Sequence, residues 1–199
     1  MRKLILSIMV SLDGMIARPD GDLEWFLTDE GFESEMLDLL RNVDGMLFGR
    51  KSYELLAGYW PTAGTSASAE APGGFTSQER QVEFARLMNT TPKIVFSRTL
   101  EQADWGPATL VREVDPDEIA KLKQQPGKDL VLFAGASLAS EFLKLDLLDE
   151  YRLMVHPIVL GQGIPLVQGL TQERKLRLVR AKTCASGVVT LQYERDHGG

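Results

Sequence analysis

The stretch LVLFAGASLASEFLKLDLLDEYRLMV (Leu130–Val155) has the order of a strand, a helix and a second strand. Its first four residues are apolar, and the small residues Ala134–Ala136 end that run. Ser137–Leu145 is then predicted to be a helix, and Tyr151–Val155 a further strand. Parallel neighbouring strands need a crossover connection that is usually a helix. The stretch therefore predicts an α/β fold.

The rest of the chain continues this alternation of strands and helices. Predicted strands are Leu4–Ser11, Gly45–Phe48, Lys93–Phe96 and Thr109–Val114, and predicted helices are Phe32–Val43, Ser52–Leu56, Glu79–Met88 and Pro116–Gln124. Leu176–Cys184 and Val188–Glu194 are predicted to form a hairpin. We therefore expect a single domain over residues 1–199, with a mostly parallel central sheet, helices on both faces and an antiparallel C-terminal hairpin.

One segment departs from this pattern. Tyr59–Gly74 (YWPTAGTSASAEAPGG) consists mainly of small and polar residues. Such a composition does not favour a packed element. We expect a flexible surface loop there, and not a linker between domains.

Charge and cysteine content exclude several classes of partner. The net charge is −6, so no general attraction to nucleic acid or to an anionic membrane is expected. The apolar N-terminal run is too short to span a membrane. The single cysteine, Cys184, cannot form an internal disulfide, and no Cys/His pattern typical of a metal site is present. These features predict a cytoplasmic protein without a metal.

Three predicted strands end in residues suited to binding an anion. Phe48 is followed by GRKS (49–52), Phe96 by SR (97–98) and Phe133 by AGAS (134–137). Ligands of open α/β sheets bind beyond the carboxyl ends of the strands, and free amides at a helix N-terminus favour phosphate. Each segment alone is also common turn material, but the three together favour a dinucleotide site. Neither G-x-G-x-x-G nor G-x-x-x-x-G-K-[ST] occurs, which disfavours a Rossmann or P-loop protein.

These residues resemble the dihydrofolate reductase-like superfamily, and more closely its branch similar to the C-terminal reductase domain of the bifunctional riboflavin biosynthesis protein. The resemblance extends from Leu4 to about Tyr193. It rests on SLDGMIA (Ser11–Ala17), GRKSYE (Gly49–Glu54), KIVFSRTL (Lys93–Leu100) and AGASLASEFLKLDLLDEYRLMVHPIVLGQGIPL (Ala134–Leu166). It implies an NADPH-dependent reductase on a dihydrofolate reductase-like fold.

The resemblance also implies which residues bind NADPH. The phosphates would contact Gly49, Arg50, Lys51 and Ser52, and the adenosine 2′-phosphate would contact Ser97 and Arg98. The pyrophosphate would lie on Ala134, Gly135, Ala136, Ser137 and Leu138, and the nicotinamide near Ile16, Ala17 and Gly161. Members of this family usually carry Gly-Gly where this chain has Ala134-Gly135.

The substrate residues rest on weaker patterns. By resemblance, Asp22 lies where dihydrofolate reductases carry the aspartate that binds the pterin ring, although an N-cap of a helix is an equal alternative. Glu24 is the second candidate acid. Asp13 is a candidate substrate or loop residue. The aromatic residues that could stack on a flat heterocycle are Trp25, Phe26, Tyr53 and Trp60, although most aromatic residues belong to the core. His156 is expected to be structural.

The expected reaction is hydride transfer from NADPH to a small pteridine- or aminopyrimidine-like heterocycle. The resemblance implies reduction of 5-amino-6-(5-phosphoribosylamino)uracil in riboflavin biosynthesis, or of dihydrofolate. A non-catalytic protein that only binds a nucleotide or a heterocycle is the alternative. Related proteins commonly dimerise through their late strands, so a homodimer is expected.

Overall fold

The computed structural model describes residues 1–63 and 75–196. Most of the predicted loop, residues 64–74, lies outside the described residues. In the described ranges, the strands are β1 (Leu4–Ser11), β2 (Met15–Ala17), β3 (Val43–Gly49), β4 (Lys93–Phe96), β5 (Ala108–Val111), β6 (Asp129–Phe133), β7 (Glu150–His156), β8 (Ile164–Pro165), β9 (Leu176–Thr183) and β10 (Val189–Arg195). The helices there are α1 (Glu30–Arg41), α2 (Arg50–Ala57), α3 (Gln78–Thr90), α4 (Pro116–Gln124) and α5 (Ala136–Lys144).

Within these residues, eight of the strands form one sheet in the order β5-β4-β3-β6-β1-β7-β10-β9. Neighbours from β5 to β7 pair in parallel, whereas β10 pairs antiparallel with both β7 and β9. This confirms the predicted α/β fold with a mostly parallel sheet and an antiparallel C-terminal hairpin. No helix in residues 1–63 or 75–196 is long and apolar enough to cross a membrane.

Helices cover both faces of the sheet because its central strands are apolar on both sides. In β1, Ile5 packs in the core beneath α1 and α3, while Leu4 and Leu6 belong to the core on the face of α4 and α5. Near-continuous apolar strands of this kind are typical of parallel sheets that are buried on both faces. The two cores fix the helices relative to the carboxyl edge of the sheet.

The structure corrects the region before α1. Asp22 was expected as a possible N-cap, but α1 begins at Glu30, and Asp29 caps it by accepting a hydrogen bond from the Phe32 amide (2.8 Å). The residues around Asp22 form turns instead of a helix. The short strands β2 and β8, which pair with each other as a second sheet, were not predicted.

Candidate functional site

The three predicted anion-binding segments lie side by side at the carboxyl edge of the sheet. In the register of β3, Gly49 lies opposite Phe96 of β4, and Phe48 lies opposite Phe133 of β6. Neighbouring strands are separated by about 4.8 Å. The ends of β4, β3 and β6 therefore form one continuous edge, although α3 and further elements separate them in the chain.

Two helices begin at this edge without a side-chain cap. Gly49 precedes α2 and Gly135 precedes α5, and neither helix has a side-chain cap hydrogen bond. The other helices of the described ranges are capped by Asp29, Ser77 and Asp115. The first amides of a helix have no partner inside it. At α2 and α5, these amides are therefore available to an anion from outside the chain.

Three cationic residues follow two of these strand ends: Arg50 and Lys51 in the first turn of α2, and Arg98 just after β4. Arg98 and Lys51 are exposed, and neither makes a hydrogen bond or an ion pair with another residue in the described ranges. Arg50 lies 3.3 Å from Glu54 on the next turn of α2, and both side chains are nearly half exposed. An exposed ion pair of this kind is weak. All three cations are thus free to bind a ligand phosphate.

Ser97 supports the turn that carries Arg98. Its buried Oγ accepts hydrogen bonds from the amides of Thr99 (3.2 Å) and Leu100 (2.9 Å). Arg112, which the sequence did not single out, donates to the carbonyl oxygens of Ser97 (3.1 Å) and Leu100 (2.7 Å). Its position just after β5 gave no signal in the sequence. The Ser97 hydroxyl is thus occupied by the backbone, whereas Arg98 is exposed.

Asp13 joins two loops at the end of β1. It accepts a hydrogen bond from the Ser11 hydroxyl (2.6 Å) and from the amides of Leu160 (3.1 Å) and Gly161 (2.7 Å). These three donors, the Ser11 hydroxyl first, lower the pKa of Asp13 to about 2. The carboxylate is therefore ionised at neutral pH and positions the Leu160–Gly161 turn.

The predicted nicotinamide residues lie next to that turn. Ile16 and Ala17 of β2 are buried, and Ile16 packs in the same core as Leu138 of α5. A Cβ on Gly163 would lie 2.4 Å from the Ala17 carbonyl oxygen, so only glycine fits there. The second sheet, formed by β2 and β8, thereby places Ile16, Ala17 and the Gly161 turn next to the carboxyl edge of the main sheet, where α5 begins.

Asp22 is held as an anion. It pairs with Arg18 and accepts a hydrogen bond from the Glu24 amide (3.1 Å). The Glu24 amide, with a smaller effect from Arg18, lowers the pKa of Asp22. An aspartate with a lowered pKa is not a proton donor at neutral pH, but it can accept a hydrogen bond from a ligand. The Glu24 side chain is exposed beside it.

The aromatic candidates divide between two places. Tyr53 is buried in the core, where its ring packs on Phe48 and Trp105 and its Oη accepts from the Trp105 amide (2.7 Å). Tyr53 therefore presents no free ring face. Trp60 also lies in the core. Trp25 and Phe26 instead pack against the ring of His156, with Phe26 stacked on it at 5.3 Å between ring centroids.

His156 is fully buried at the end of β7, opposite Ser11. Its Nδ1 accepts a hydrogen bond from the Leu27 amide (3.1 Å), and its Nε2 has no partner among the described residues. Burial lowers the pKa of His156 to about 4. The imidazole is therefore neutral at pH 7 and fixes the segment that carries Trp25 and Phe26. Within the described ranges, no group of His, Cys, Asp and Glu side chains is suited to holding a metal ion.

The sheet order, the two uncapped helices at its carboxyl edge and the C-terminal hairpin define an α/β protein of the dihydrofolate reductase-like class. The sequence pattern described as "RibD C-terminal domain" matches residues 2–190, and the chain belongs to that family. It is 37% identical over 192 residues to "Uncharacterized protein YyaP" of Bacillus subtilis (strain 168), covering 96% of this chain and 94% of that protein.

Solved structures share the fold. A putative riboflavin biosynthesis protein from Shewanella sp. PV-4 superposes with a TM-score of 0.71 at 25% identity, covering 98% of this chain and 99% of that one. Dihydrofolate reductase from Enterococcus faecalis, complexed with NADP(H) and RAB-propyl, superposes with a TM-score of 0.60 at 13% identity, covering 98% and 96%. The second likeness concerns the fold alone. Both superpositions agree with the α/β fold described above.

Proposed function

We propose that the protein is an NADPH-dependent reductase that transfers a hydride to a small heterocycle of the pteridine or aminopyrimidine type. The observation that carries the proposal is the row of three adjacent strand ends, which combines two uncapped helices with unpaired cations. NADPH, when bound, supplies the hydride. The chain's own residues bind the cofactor, orient the acceptor and deliver a proton.

The cofactor's phosphates fit this edge because it combines open helix amides with exposed cations. With a net charge of −6, the protein as a whole repels an anion, so local cations and amides must hold it. The open amides of α2 and α5, with Arg50 and Lys51, suit the pyrophosphate. The exposed guanidinium of Arg98 suits a 2′-phosphate, because arginine can bind phosphate through two parallel hydrogen bonds.

The heterocycle would lie beside the end of β1. Asp22 is an ionised acceptor that suits an N–H of a pterin or aminopyrimidine ring. Glu24, exposed one residue before Trp25, is the residue that we propose for proton transfer, directly or through water. Asp13 acts as a positioning residue, since it holds the turn at Gly161 in place.

The cofactor assignment is tested by replacing Arg98 with alanine. Loss of hydrogen bonds between a cation and a phosphate should weaken NADPH binding roughly 10- to 100-fold, while NADH binding changes little. Arg86→Ala, at an exposed arginine in α3, is the matched control. Isothermal titration of both cofactors gives the affinities. Equal losses of affinity for NADPH and NADH would show that Arg98 does not bind the 2′-phosphate.

The alternative is a binding protein that has kept the cofactor pocket and does not turn over. The reductase and the binding protein are distinguished by following the absorbance of NADPH after dihydrofolate, other pterins and the ribosylaminopyrimidine are added. A decrease that depends on enzyme concentration and is lost in Glu24→Gln or Asp22→Asn supports the reductase. Tight NADPH binding with no decrease for any of these acceptors supports the binding protein.

A further inference from the structure

A cleft between helix α1 and the sheet lies apart from the carboxyl edge. Glu35, Met36 and Leu39 of α1 form one wall, and residues of β1, β7, β9 and β10 form the floor. Ser7, on this floor, lies four residues before β1 ends at Ser11. The cleft therefore lies over β1, β7, β10 and β9, separate from the proposed NADPH site at the ends of β4, β3 and β6.

The floor of the cleft is a row of polar side chains that crosses four strands. Ser7 of β1 lies opposite Arg152 of β7, Arg152 opposite Gln192 of β10, and Gln192 opposite Arg180 of β9. Residues that lie directly opposite in neighbouring strands share one face of the sheet. All four side chains therefore line the cleft. Of the four, Ser7 is buried, and a buried polar group costs free energy unless it finds a partner.

Two donors in this row lack acceptors. The Ser7 side chain is only 4% exposed, and its Oγ has no hydrogen-bond partner among the described residues. Arg152 donates through Nε to Glu150 (2.7 Å), but no residue in the described ranges accepts from its two terminal nitrogens. Gln192 also donates to Glu150 (3.0 Å). The cleft thus presents the Ser7 hydroxyl next to two terminal guanidinium nitrogens of Arg152 that lack acceptors among the described residues.

The charges around the cleft favour an anion. The ion pairs near the cleft form two networks: Lys3, Arg152 and Arg177 pair with Glu150 and Glu194, whereas Arg180 and Lys182 pair with Glu35. Each network has one more cation than carboxylates, in a chain whose net charge is −6. A bound anion would reduce this excess and accept the free hydrogen bonds of Ser7 and Arg152.

We propose that this cleft is a second ligand site, and that it binds a small carboxylate. The head group accepts hydrogen bonds from the Ser7 hydroxyl and from the terminal nitrogens of Arg152. The apolar part of the ligand lies against Met36 and Leu39 of α1. The cleft is open to solvent on one side, which suits a carboxylate head group with a flat apolar body and not a whole dinucleotide.

Benzoate is the probe for this site, and benzamide, which has the same shape without the charge, is its comparison. Each is titrated into the full-length protein, and the amide signals of Ser7 and of the Gln192 side chain are followed by NMR. Ser7→Ala and Arg152→Gln remove the two proposed donors. Arg177→Gln is the control, because Arg177 belongs to the same network but its side chain is 63% exposed and does not line the cleft.

We expect saturable binding of benzoate and weaker binding of benzamide. Ser7→Ala should weaken benzoate roughly 5- to 10-fold and Arg152→Gln more than about 10-fold, whereas Arg177→Gln should change it less than about 2-fold. NADPH binding should stay unchanged in all three variants. Because the Ser7 hydroxyl has no partner, Ser7→Ala should fold normally and decides the question even if Arg152→Gln does not fold.

Three results would overturn the proposal. One is the absence of saturable benzoate binding by about 20 mM, a concentration far above that of a millimolar site. Another is equal affinity for benzamide. The third is full affinity for benzoate in Ser7→Ala. None of them bears on the reductase assignment, which is measured by NADPH binding and turnover.

Discussion

The buried His156 makes the stability of the protein depend on pH in a predictable direction. Burial lowers the pKa of His156 from 6.5 to about 4, so between these values the unfolded chain binds a proton that the folded protein does not. Stability should therefore decrease as the pH falls from 6.5 towards 4. Protonation would also turn Nδ1 into a donor that faces the Leu27 amide, and so break the hydrogen bond between them.

The size of this effect follows from the shift. One pKa unit corresponds to about 1.4 kcal/mol, so the whole shift is worth about 3 kcal/mol, of which about 2 kcal/mol is lost between pH 7 and pH 4.5. Carboxylates titrate in the same range and add their own pH dependence. The informative quantity is therefore the difference between the wild type and a variant that lacks this imidazole.

Urea unfolding at pH 7 and pH 4.5 measures that difference. His156→Phe keeps a ring against Phe26 but cannot be protonated, so its free energy of unfolding should fall by about 2 kcal/mol less than that of the wild type. His197→Gln, at the only other histidine of the chain, is the control and should behave as the wild type. Parallel losses in the wild type and in His156→Phe would refute the reasoning.

Three further predictions concern a buried lysine, a helix cap and an edge strand. Lys93 is 1% exposed, and burial lowers its pKa from 10.5 to about 8. Between these values the unfolded chain binds a proton that the folded protein does not, so the free energy of unfolding should rise by about 3 kcal/mol from pH 7.5 to 10.5. Lys93→Met should remove that rise in urea titrations. Gly135→Asp should cap α5 and raise the free energy of unfolding by a few tenths of a kcal/mol. The new negative charge should weaken NADPH binding in calorimetry. Unchanged NADPH affinity would show that the pyrophosphate does not bind at α5. We propose a homodimer through the edge strand β9, where Leu178 is 50% exposed, so Leu178→Glu should yield monomers in light scattering; a monomeric wild type would contradict this.

Much of the fold followed from the sequence because the central strands are strongly apolar. The bounds of β1, β4 and α4 were predicted to the residue, since an apolar run or an Asp-Pro start marks each one. The short strands β2 and β8 were missed, because three and two residues show no periodicity. Pairing with a distant segment creates them.

The candidate site was predictable as a set of segments but not as an arrangement. The strands that end at Gly49, Phe96 and Phe133 follow one another along the chain, but the sheet order β4-β3-β6 places β3 between the other two. Residue types could not give this order. They also could not show that Tyr53 and Trp25 are both buried, Tyr53 in the core and Trp25 against His156.

The caps of the helices connect stability with function at this edge. Asp29, Ser77 and Asp115 each bind the first amides of a helix. At the edge, Gly49 and Gly135 leave those amides open. Glycine at the cap position costs only a few tenths of a kcal/mol relative to a capping side chain, whereas an aspartate there would bring negative charge to the place proposed for the cofactor's phosphates. The open amides of these two helices therefore support the proposed binding of the cofactor's phosphates there, at little cost to the stability of the fold.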